Sequence, residues 1–326
     1  MTTRLLALID RFRRARIVVV GDLVADEFIY GRLSRVSREA PVLILEYDTT
    51  EIVPGGAGNA AANVAALGGK VTLAGVAGRD QTGDRLVDAL KARGVRLALA
   101  RPKDAATTVK TRILAGGVHS VKQQIVRIDR QGTGAAKPAV VRDVVARAKR
   151  AARRADAIIA SDYGSGLVTA RAVAGIRSRN AQLFVDSRYN LLGFKGMTAC
   201  TPNESEVEAL TGLPIGDDKR ALEKAGRSLL RKTGAGAMLV TRGSRGMALF
   251  EPRTLTKRIA IHGSDEVADV TGAGDTVIAT FALARAAGAT FEEAARLANY
   301  AGGLVVMKRG TATITADELR AAVRGA

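Results

Sequence analysis

Short apolar runs rich in β-branched residues recur along the chain, and longer segments with helical spacing of apolar residues separate them. A run that is apolar throughout is typical of a strand buried on both faces of a parallel sheet. Strands that alternate with helices predict an α/β fold, in which a doubly wound, mostly parallel sheet is flanked by helices. The predicted strands are IVVVGD at 17–22, VTLAGVAG at 71–78, AIIASDY at 157–163, QLFVDS at 182–187 and AMLVTRG at 237–243, and helices are predicted at 274–288 and 291–310.

Two intervals depart from this rhythm, because their strand-like segments carry more polar residues at alternating positions. They indicate a small second sheet that projects from the core as a candidate lid, built from about 27–52 and 105–130. No linker divides the chain, so we expect one domain over 1–326. The strand-like segments are VLILEYD at 42–48, TVKTRILAG at 108–116 and VKQQIVRIDR at 121–130, with GGVHS at 116–120 as a hairpin turn.

Composition and charge exclude several classes of protein. The formal net charge is +18, but the basic residues are scattered, and their densest cluster, RAKRAARRAD at 147–156, has the apolar spacing of a solvated helix face. Tryptophan is absent and aromatic residues make up 4%, so a stacking platform for nucleic acid is not expected. No apolar run reaches the roughly 20 residues that span a bilayer. We therefore expect a cytosolic protein without nucleic-acid or membrane partners, and phosphorylated small molecules are the remaining class of ligand that the charge would suit.

Cysteine and histidine are too few for disulfide, zinc or histidine-based acid–base chemistry. Cys200 is the single cysteine, so no internal disulfide can form. His119 and His262 are the only histidines, and no spacing of these residues matches a zinc site. The candidate chemistry therefore has to come from carboxylates and glycine loops.

A glycine loop at 269–276, DVTGAGDT, leads directly into an apolar helical pattern. The backbone N–H groups of Gly272, Ala273 and Gly274 are predicted to lie at a helix N-terminus, which is an anion site because its amides are unpaired. Asp275 follows in the first turn. It is either a carboxylate that merely favours the helix or a catalytic group, and this motif alone does not decide between the two.

A second loop-to-helix transition lies at 54–69, PGGAGNAAANVAALGG, with Asn59 and Asn63 one helical turn apart. Its Gly56, Gly58 and Ala61 fit the dinucleotide pattern GxGxxG/A. However, the loop does not follow the first strand, and no acidic residue ends the next strand at the required distance. A dehydrogenase is therefore the weaker interpretation.

Four motifs in a fixed order identify the chain as a member of the ribokinase (PfkB) family of sugar kinases. They are GGAGNAAANVAALG at 55–68, TPNESE at 201–206, TRGSRGM at 241–247 and DVTGAGDT at 269–276. This resemblance implies a ribokinase-like fold, ATP and Mg²⁺ as cofactors, and phosphoryl transfer to a sugar hydroxyl. It also implies that Asp275 is the base, while the amides of Gly272, Ala273 and Gly274 stabilise charge on the transferred group.

The resemblance assigns further residues to the nucleotide and the metal. Asn203 and Glu206 would place Mg²⁺ through water, although N-x-x-E before an apolar segment also describes a helix cap. The residues assigned to the nucleotide are Thr241, Gly243, Gly246, Thr271 and Asn299. A hairpin turn is the alternative for the two glycines. Activation by K⁺ near Asp269 and Thr271 is left open.

On the acceptor side, the resemblance implies that an aspartate after the first strand binds sugar hydroxyls. Of the two aspartates in GDLVAD, 21–26, we assign this role to Asp26 and a structural role to Asp22. The residues that would complete the acceptor site are Gly55, Gly56, Asn59 and Arg188.

Longer stretches at 21–41, 161–166 and 269–315 resemble the branch of heptose-7-phosphate kinases. Ser165 and Arg188 depart from it, because the branch has lysines in the corresponding SDYxKG and DPKG elements. A heptose phosphate is therefore the first expectation, and another sugar or a nucleoside is the second. A sugar- or nucleotide-binding protein without activity is a third hypothesis.

Two expectations about partners follow from the same resemblance. We expect a homodimer formed through the lid strands, because exposed sheet edges are natural pairing surfaces. The resemblance to the kinase ends near residue 326. We therefore expect the nucleotidyltransferase that is fused to some relatives to be a separate enzyme.

Overall fold

The computed structural model of the protein describes residues 1–116, 122–263 and 269–325. The predicted hairpin turn at 116–120 lies outside the described residues after Gly116. The helices are α1 (Thr2–Arg11), α2 (Ala57–Ala66), α3 (Gln81–Ala92), α4 (Pro138–Ala152), α5 (Ala170–Ile176), α6 (Glu204–Thr211), α7 (Lys219–Thr233), α8 (Ala273–Ala286), α9 (Phe291–Val305) and α10 (Ala316–Arg324). The strands are β1 (Arg16–Gly21), β2 (Leu23–Val36), β3 (Leu43–Gly56), β4 (Lys70–Ala74), β5 (Arg96–Leu97), β6 (Thr108–Gly116), β7 (Gln123–Arg130), β8 (Ala157–Asp162), β9 (Gln182–Ser187), β10 (Ala199–Cys200), β11 (Ala237–Thr241), β12 (Met247–Phe250) and β13 (Lys257–Ile259).

The larger sheet has the order β13-β12-β11-β10-β9-β8-β1-β4-β5. All neighbours from β11 to β5 are parallel, and the pairs β11–β12 and β12–β13 at the other edge are antiparallel. The predicted α/β fold with a mostly parallel sheet is thus confirmed. The predicted strand at 71–78 is shorter in the structure, where β4 ends at Ala74, and the predicted helix at 291–310 ends at Val305.

Alternate residues of the central strands face two separate apolar layers. On β1, Ile17 and Val19 belong to the layer that contains α8, whereas Val18 and Val20 face the layer that contains α4 and α7. A strand buried on both faces must be apolar at every position, which explains the uninterrupted run IVVV. Helix α4 buries Val144 and Ala148 in its layer and leaves most of its basic residues exposed, as its spacing predicts.

The small sheet has the order β3-β2-β6-β7. Strands β2 and β6 are parallel, and the two outer pairs are antiparallel. The segment predicted at 42–48 is only the start of β3, which continues to Gly56 and leads directly into α2. Because β2 follows β1 after a single residue, the small sheet begins at the edge where the parallel strands of the larger sheet end.

None of the helices that the structure describes is long and apolar enough to cross a membrane.

Candidate active site

A cavity of about 300 Å³ lies between the small sheet and the carboxyl ends of the parallel strands. This is where open α/β sheets generally bind ligands, because loops from neighbouring strands diverge there. The structure brings many of the predicted site residues to this cavity. Those that line it are Asp26, Gly56, Arg188, Asn203, Glu206, Thr241, Thr271, Gly272, Gly274 and Asp275.

Asp275 lies in the first turn of α8 and is 3% exposed. Its Oδ2 accepts a hydrogen bond from Asn59 Nδ2 at 3.0 Å, and its Oδ1 accepts one from Tyr163 Oη at 2.9 Å. Burial raises the pKa of Asp275 to about 7, although these two hydrogen bonds act in the opposite direction. A carboxylate with a pKa near neutrality can accept a proton from a hydroxyl during a reaction and release it afterwards.

The N-terminus of α8 provides amides beside this carboxylate. Gly272 is the N-cap residue and has a φ of 77°, a conformation that favours glycine. A Cβ atom at this position would lie 2.4 Å from Asn59 Nδ2, so a larger residue would displace the partner of Asp275. The N–H of Ala273 donates to Val270 O at 3.2 Å. Within the described part of the chain, the N–H groups of Gly272 and Gly274 have no acceptor, which leaves them available for an anion.

Helix α2 positions the partner of the carboxylate. Asn59 Nδ2 also donates to Gly272 O at 3.2 Å, and Asn63 Nδ2 donates to Asn59 Oδ1 at 3.0 Å. Both asparagines are buried. The spacing of one helical turn therefore orients the Asn59 amide so that its nitrogen faces Asp275.

Asp26 on β2 is buried against a cation and a glycine. Its Oδ1 accepts from Arg112 Nη1 at 2.5 Å, and its Oδ2 accepts from Thr311 Oγ1 at 2.9 Å. A Cβ atom at Gly55 would lie 2.3 Å from Asp26 Oδ2, which explains glycine at that position. Since a carboxylate has about four lone-pair sites, Asp26 can accept further hydrogen bonds from a ligand in the cavity.

Asp22 holds the loop after β8. Its carboxylate accepts from the N–H groups of Tyr163 at 2.8 Å and Ser165 at 3.2 Å, and also from the Ser165 hydroxyl. Burial raises the pKa of Asp22, and the hydrogen bonds from Ser165 oppose that effect. Asp22 does not line the cavity of about 300 Å³ described above. These contacts place Tyr163 so that its hydroxyl reaches Asp275.

Asn203 and Glu206 form a reciprocal helix cap at the start of α6. Asn203 Oδ1 accepts from Glu206 N–H at 2.9 Å, and Glu206 Oε2 accepts from Asn203 N–H at 3.0 Å. The cap and a ligand-binding role are compatible, because both residues also line the cavity. Burial raises the pKa of Glu206, and the Asn203 amide opposes this.

Three residues that we assign to the nucleotide lie outside this cavity. Gly243 and Gly246 form the turn between β11 and β12, and Asn299 Nδ2 donates to Ala260 O at 2.8 Å. Nearer the site, Asp269 accepts from the N–H groups of Thr271 at 2.8 Å and Gly310 at 3.0 Å. Three further predicted residues, Gly55, Asn59 and Ala273, lie directly behind the lining residues.

Several polar residues to which the sequence motifs assign no role also line the cavity. Lys110 and Arg112 lie two residues apart on β6, and this alternation was the sequence signal that could have placed them on one face. Asp186 is the penultimate residue of β9, and burial, together with Asp275 and Glu206, raises its pKa well above its ordinary value. The remaining unpredicted polar residues are Arg127, Asp162, Tyr163 and Thr201.

Comparisons with known proteins agree with the motifs. The family model of the pfkB family carbohydrate kinases matches residues 14–318. The bifunctional protein HldE of Desulfatibacillum aliphaticivorans is 40% identical over 319 residues, which cover 96% of this chain and 64% of that protein. HldE of Pseudomonas aeruginosa (strain LESB58) is 40% identical over 321 residues, covering 96% of this chain and 65% of the relative. The chain thus spans somewhat less than two thirds of the length of these curated relatives.

Solved structures show the same fold at low sequence identity. Ribokinase from Arabidopsis thaliana, complexed with ribose and ATP, has a TM-score of 0.76 and 22% identity, over 95% of this chain and 99% of that one. Phosphofructokinase-2 from Escherichia coli, in complex with fructose-6-phosphate, has a TM-score of 0.78 and 19% identity over the same shares. On the match of the family model and the identity to these relatives, the chain belongs to the pfkB family of carbohydrate kinases.

Proposed function

We propose that this protein is an ATP-dependent kinase that phosphorylates O1 of D-glycero-D-manno-heptose 7-phosphate, a precursor of surface glycans, in the cytosol. The observation that carries the proposal is the buried Asp275 carboxylate with a pKa of about 7, beside unpaired amides at the start of α8. The relatives named HldE, at 40% identity over nearly the whole chain, support the heptose acceptor.

The arrangement can perform phosphoryl transfer with few groups. Asp275 accepts the proton of the sugar hydroxyl while the oxygen of that hydroxyl forms a bond to the γ-phosphorus of ATP. The bond between the γ-phosphorus and the bridging oxygen of the β-phosphate breaks at the same time, and ADP leaves. The amides of Gly272 and Gly274 would donate to the charged oxygens of the transferred group. Asn59 and Tyr163 orient the carboxylate through their hydrogen bonds.

The residues present fit a magnesium ion. Mg²⁺ prefers oxygen ligands and retains several waters, so one or two carboxylates together with nucleotide phosphates are enough. Asp186 and Glu206 supply carboxylates in the cavity, which Thr201 also lines, and the buried Thr201 Oγ1 has no hydrogen-bond partner among the described residues. Asp186 and Glu206 would hold the ion, through water at Glu206 and Asn203. When bound, the ion neutralises charge on the nucleotide phosphates.

One observation favours a different sugar as the acceptor. Ser165 occupies a position where the resembling branch has lysine, and its hydroxyl donates to Asp22 rather than extending towards a ligand. A kinase for another sugar or sugar phosphate is therefore the second candidate. A protein that binds sugar without activity is less well supported, since binding alone does not require a buried carboxylate at the N-terminus of α8.

The first experiment measures ADP release with MgATP across a panel of acceptors. The panel contains heptose 7-phosphate, other sugar 7- and 6-phosphates, and free sugars including ribose, with the Asp275→Asn variant as the blank. We expect the highest kcat/KM for heptose 7-phosphate and no turnover above background in the blank. Turnover confined to other sugars would replace the acceptor but keep the kinase. Thermal stabilisation by ligands without any ADP release would reject catalysis.

The rate should depend on the ionisation of Asp275. Because only the carboxylate can accept a proton, kcat/KM is expected to rise about tenfold per pH unit below pH 7 and to level off above it. Substrate phosphates also titrate in this range, so the informative comparison is with Tyr163→Phe. That variant removes a hydrogen bond that lowers the pKa of Asp275, and the midpoint should move upward by about one pH unit. An unchanged midpoint would mean that a different group controls the profile.

We further propose that two copies associate through the outer part of the small sheet. Apolar side chains are exposed there on β2, β3 and β7, including Leu33, Tyr47 and Ile128, which are 47%, 66% and 48% exposed. Strands β3 and β7 are also the two edges of the sheet. Light scattering should give twice the chain mass, and Tyr47→Glu should shift the protein towards monomer. A monomeric wild type at micromolar concentration would contradict the proposal.

A further inference from the structure

Two cavities meet beside the Asp275 carboxylate, and three cationic side chains lie at their junction. The second cavity has a volume of about 500 Å³ and is bordered by the small sheet and by residues 131–136. Lys110, Arg127 and Arg188 line both cavities. The junction therefore concentrates positive charge within reach of any molecule that occupies the first cavity.

The register of the small sheet explains why Lys110 forms no ion pair with the described carboxylates nearest to it. Lys110 on β6 lies opposite Asp26 on β2 and Asp129 on β7, so the three side chains share the face towards the cavities. Arg112 bonds to Asp26 at 2.5 Å, and Arg127 donates two hydrogen bonds to Asp129 at 2.7 and 2.6 Å. Both neighbouring acids are thereby paired. Among the described residues, no carboxylate oxygen lies within 4.0 Å of Lys110 Nζ.

Arg188 reaches the junction from the larger sheet. It follows β9, its N–H donates to Asp162 O at 3.1 Å, and its guanidinium carbon lies 5.9 Å from the centroid of the Tyr189 ring. It makes no ion pair within 4.0 Å in the part of the chain that the structure describes. Arg188 and Lys110 thus border one space, and neither forms an ion pair within 4.0 Å among the described residues. The carboxylates of Asp186 and Glu206 act on Arg188, and those of Asp26 and Asp129 act on Lys110, only over longer distances.

A cation removed from water without a partner is energetically costly, and for Lys110 burial lowers the pKa. The same cost is offset when an anion binds between such groups, since charge-assisted hydrogen bonds are stronger than neutral ones. The guanidinium of Arg188 and the ammonium of Lys110 both suit phosphate oxygens. A phosphate at this junction would therefore be stabilised by both side chains.

We propose that Lys110 and Arg188, with Arg127 beside them, bind the phosphate group that the acceptor sugar already carries. This inference rests on the proposed kinase function and defines its acceptors as a class, namely sugars with a phosphate remote from the reacting hydroxyl. Lys110 Nζ lies 5.7 Å from the centroid of the Tyr163 ring, and the hydroxyl of that ring bonds to Asp275. The Tyr163 ring thus lies between Lys110 and Asp275. One sugar phosphate is long enough to place its phosphate group at Lys110 and its reacting hydroxyl at Asp275.

The test compares heptose 7-phosphate with unphosphorylated heptose in Lys110→Met and Arg188→Gln. Assays at pH 8.5 keep Asp275 ionised even if the loss of a nearby cation raises its pKa. We expect KM for the phosphorylated acceptor to rise at least about tenfold in each variant, a smaller change on the free sugar, and a KM for MgATP within about twofold of wild type. Lys110→Arg, which keeps the charge, should restore most of the affinity.

Matched controls carry the same substitutions at exposed positions outside both cavities, Lys103→Met and Arg142→Gln, and should match wild type. Inorganic phosphate provides a second readout. It should compete with heptose 7-phosphate in the wild type and lose potency at least about tenfold in both site variants.

Two results would overturn the phosphate site. One is an unchanged acceptor KM in folded Lys110→Met and Arg188→Gln, and the other is a rise in the KM for MgATP alone, which would assign these cations to the nucleotide. If either result is found while Asp275→Asn still abolishes turnover, the phosphate site is rejected and the proposed kinase function is retained. If the wild type shows no turnover on any acceptor, calorimetry with heptose 7-phosphate still tests the site, and binding that both variants weaken would support it.

Discussion

Replacing Asp275 with asparagine is expected to lower kcat by about 10³-fold and to leave the KM for MgATP close to that of the wild type. Asparagine has nearly the same shape and can still accept one hydrogen bond from Asn59 or Tyr163. It cannot accept the proton of the attacking hydroxyl. The loss should therefore appear in the chemical step, because the nucleotide contacts and the amides of α8 are unchanged.

The same substitution should not destabilise the protein above neutral pH. The pKa of Asp275 is about 7 in the folded state against an ordinary 3.8, so the folded chain binds this proton more tightly than the unfolded chain. Stability is therefore lost as pH rises from about 4 to 7, and the loss is complete above pH 7. Asparagine does not ionise, so the variant does not lose this part of the free energy of unfolding as pH rises. The melting temperature of Asp275→Asn relative to wild type should be higher at pH 8 than at pH 5.

A matched control is Asp217→Asn, because the Asp217 side chain is 93% exposed and lies outside the cavity. Its kcat and melting temperature should equal those of the wild type. A kcat for Asp275→Asn within tenfold of the wild type would remove the assigned role. A large fall in the melting temperature at pH 8 would show instead that the ionised carboxylate stabilises the fold.

The larger sheet could be predicted because its central strands each carry an uninterrupted apolar run, such as IVVV in β1, AIIA in β8 and LFV in β9. Strands β1, β8 and β9 follow the predicted segments to within a residue at most positions, since burial on both faces leaves one possible pattern. Strand β2 has no such signature. Its first half is buried and its second half is exposed, so its 14 residues do not follow one pattern from end to end.

The residues of the candidate site also differ in how far the sequence could predict them. Asp275 and Gly272 could be found because they lie within a single contiguous motif at a helix start. Lys110 and Arg127 lie on different strands, and only the register of β6 and β7 brings their side chains to one face. Tyr163 reaches Asp275 through a loop whose course depends on Asp22, a contact across 141 positions of sequence. Such long-range pairings are not encoded in local spacing.

Replacing Asp26 with leucine is expected to destabilise the protein by about 3–5 kcal/mol and to lower kcat/KM for the acceptor at least about 100-fold. The leucine leaves the Arg112 guanidinium without its partner, and Arg112 is only 8% exposed. It also removes the acceptor of the Thr311 hydroxyl. Chemical denaturation measures the first effect, and steady-state kinetics with varied acceptor measures the second.

The double variant Asp26→Leu, Arg112→Met separates a structural role of Asp26 from a role in binding the acceptor. A buried ion pair replaced by apolar side chains of similar volume is often neutral in stability, because both desolvation costs disappear together. The double variant should therefore recover most of the free energy of unfolding that Asp26→Leu loses. Its kcat/KM for the acceptor should stay low, since no carboxylate remains to accept hydrogen bonds from sugar hydroxyls. Recovery of both properties would mean that Asp26 serves only to neutralise Arg112.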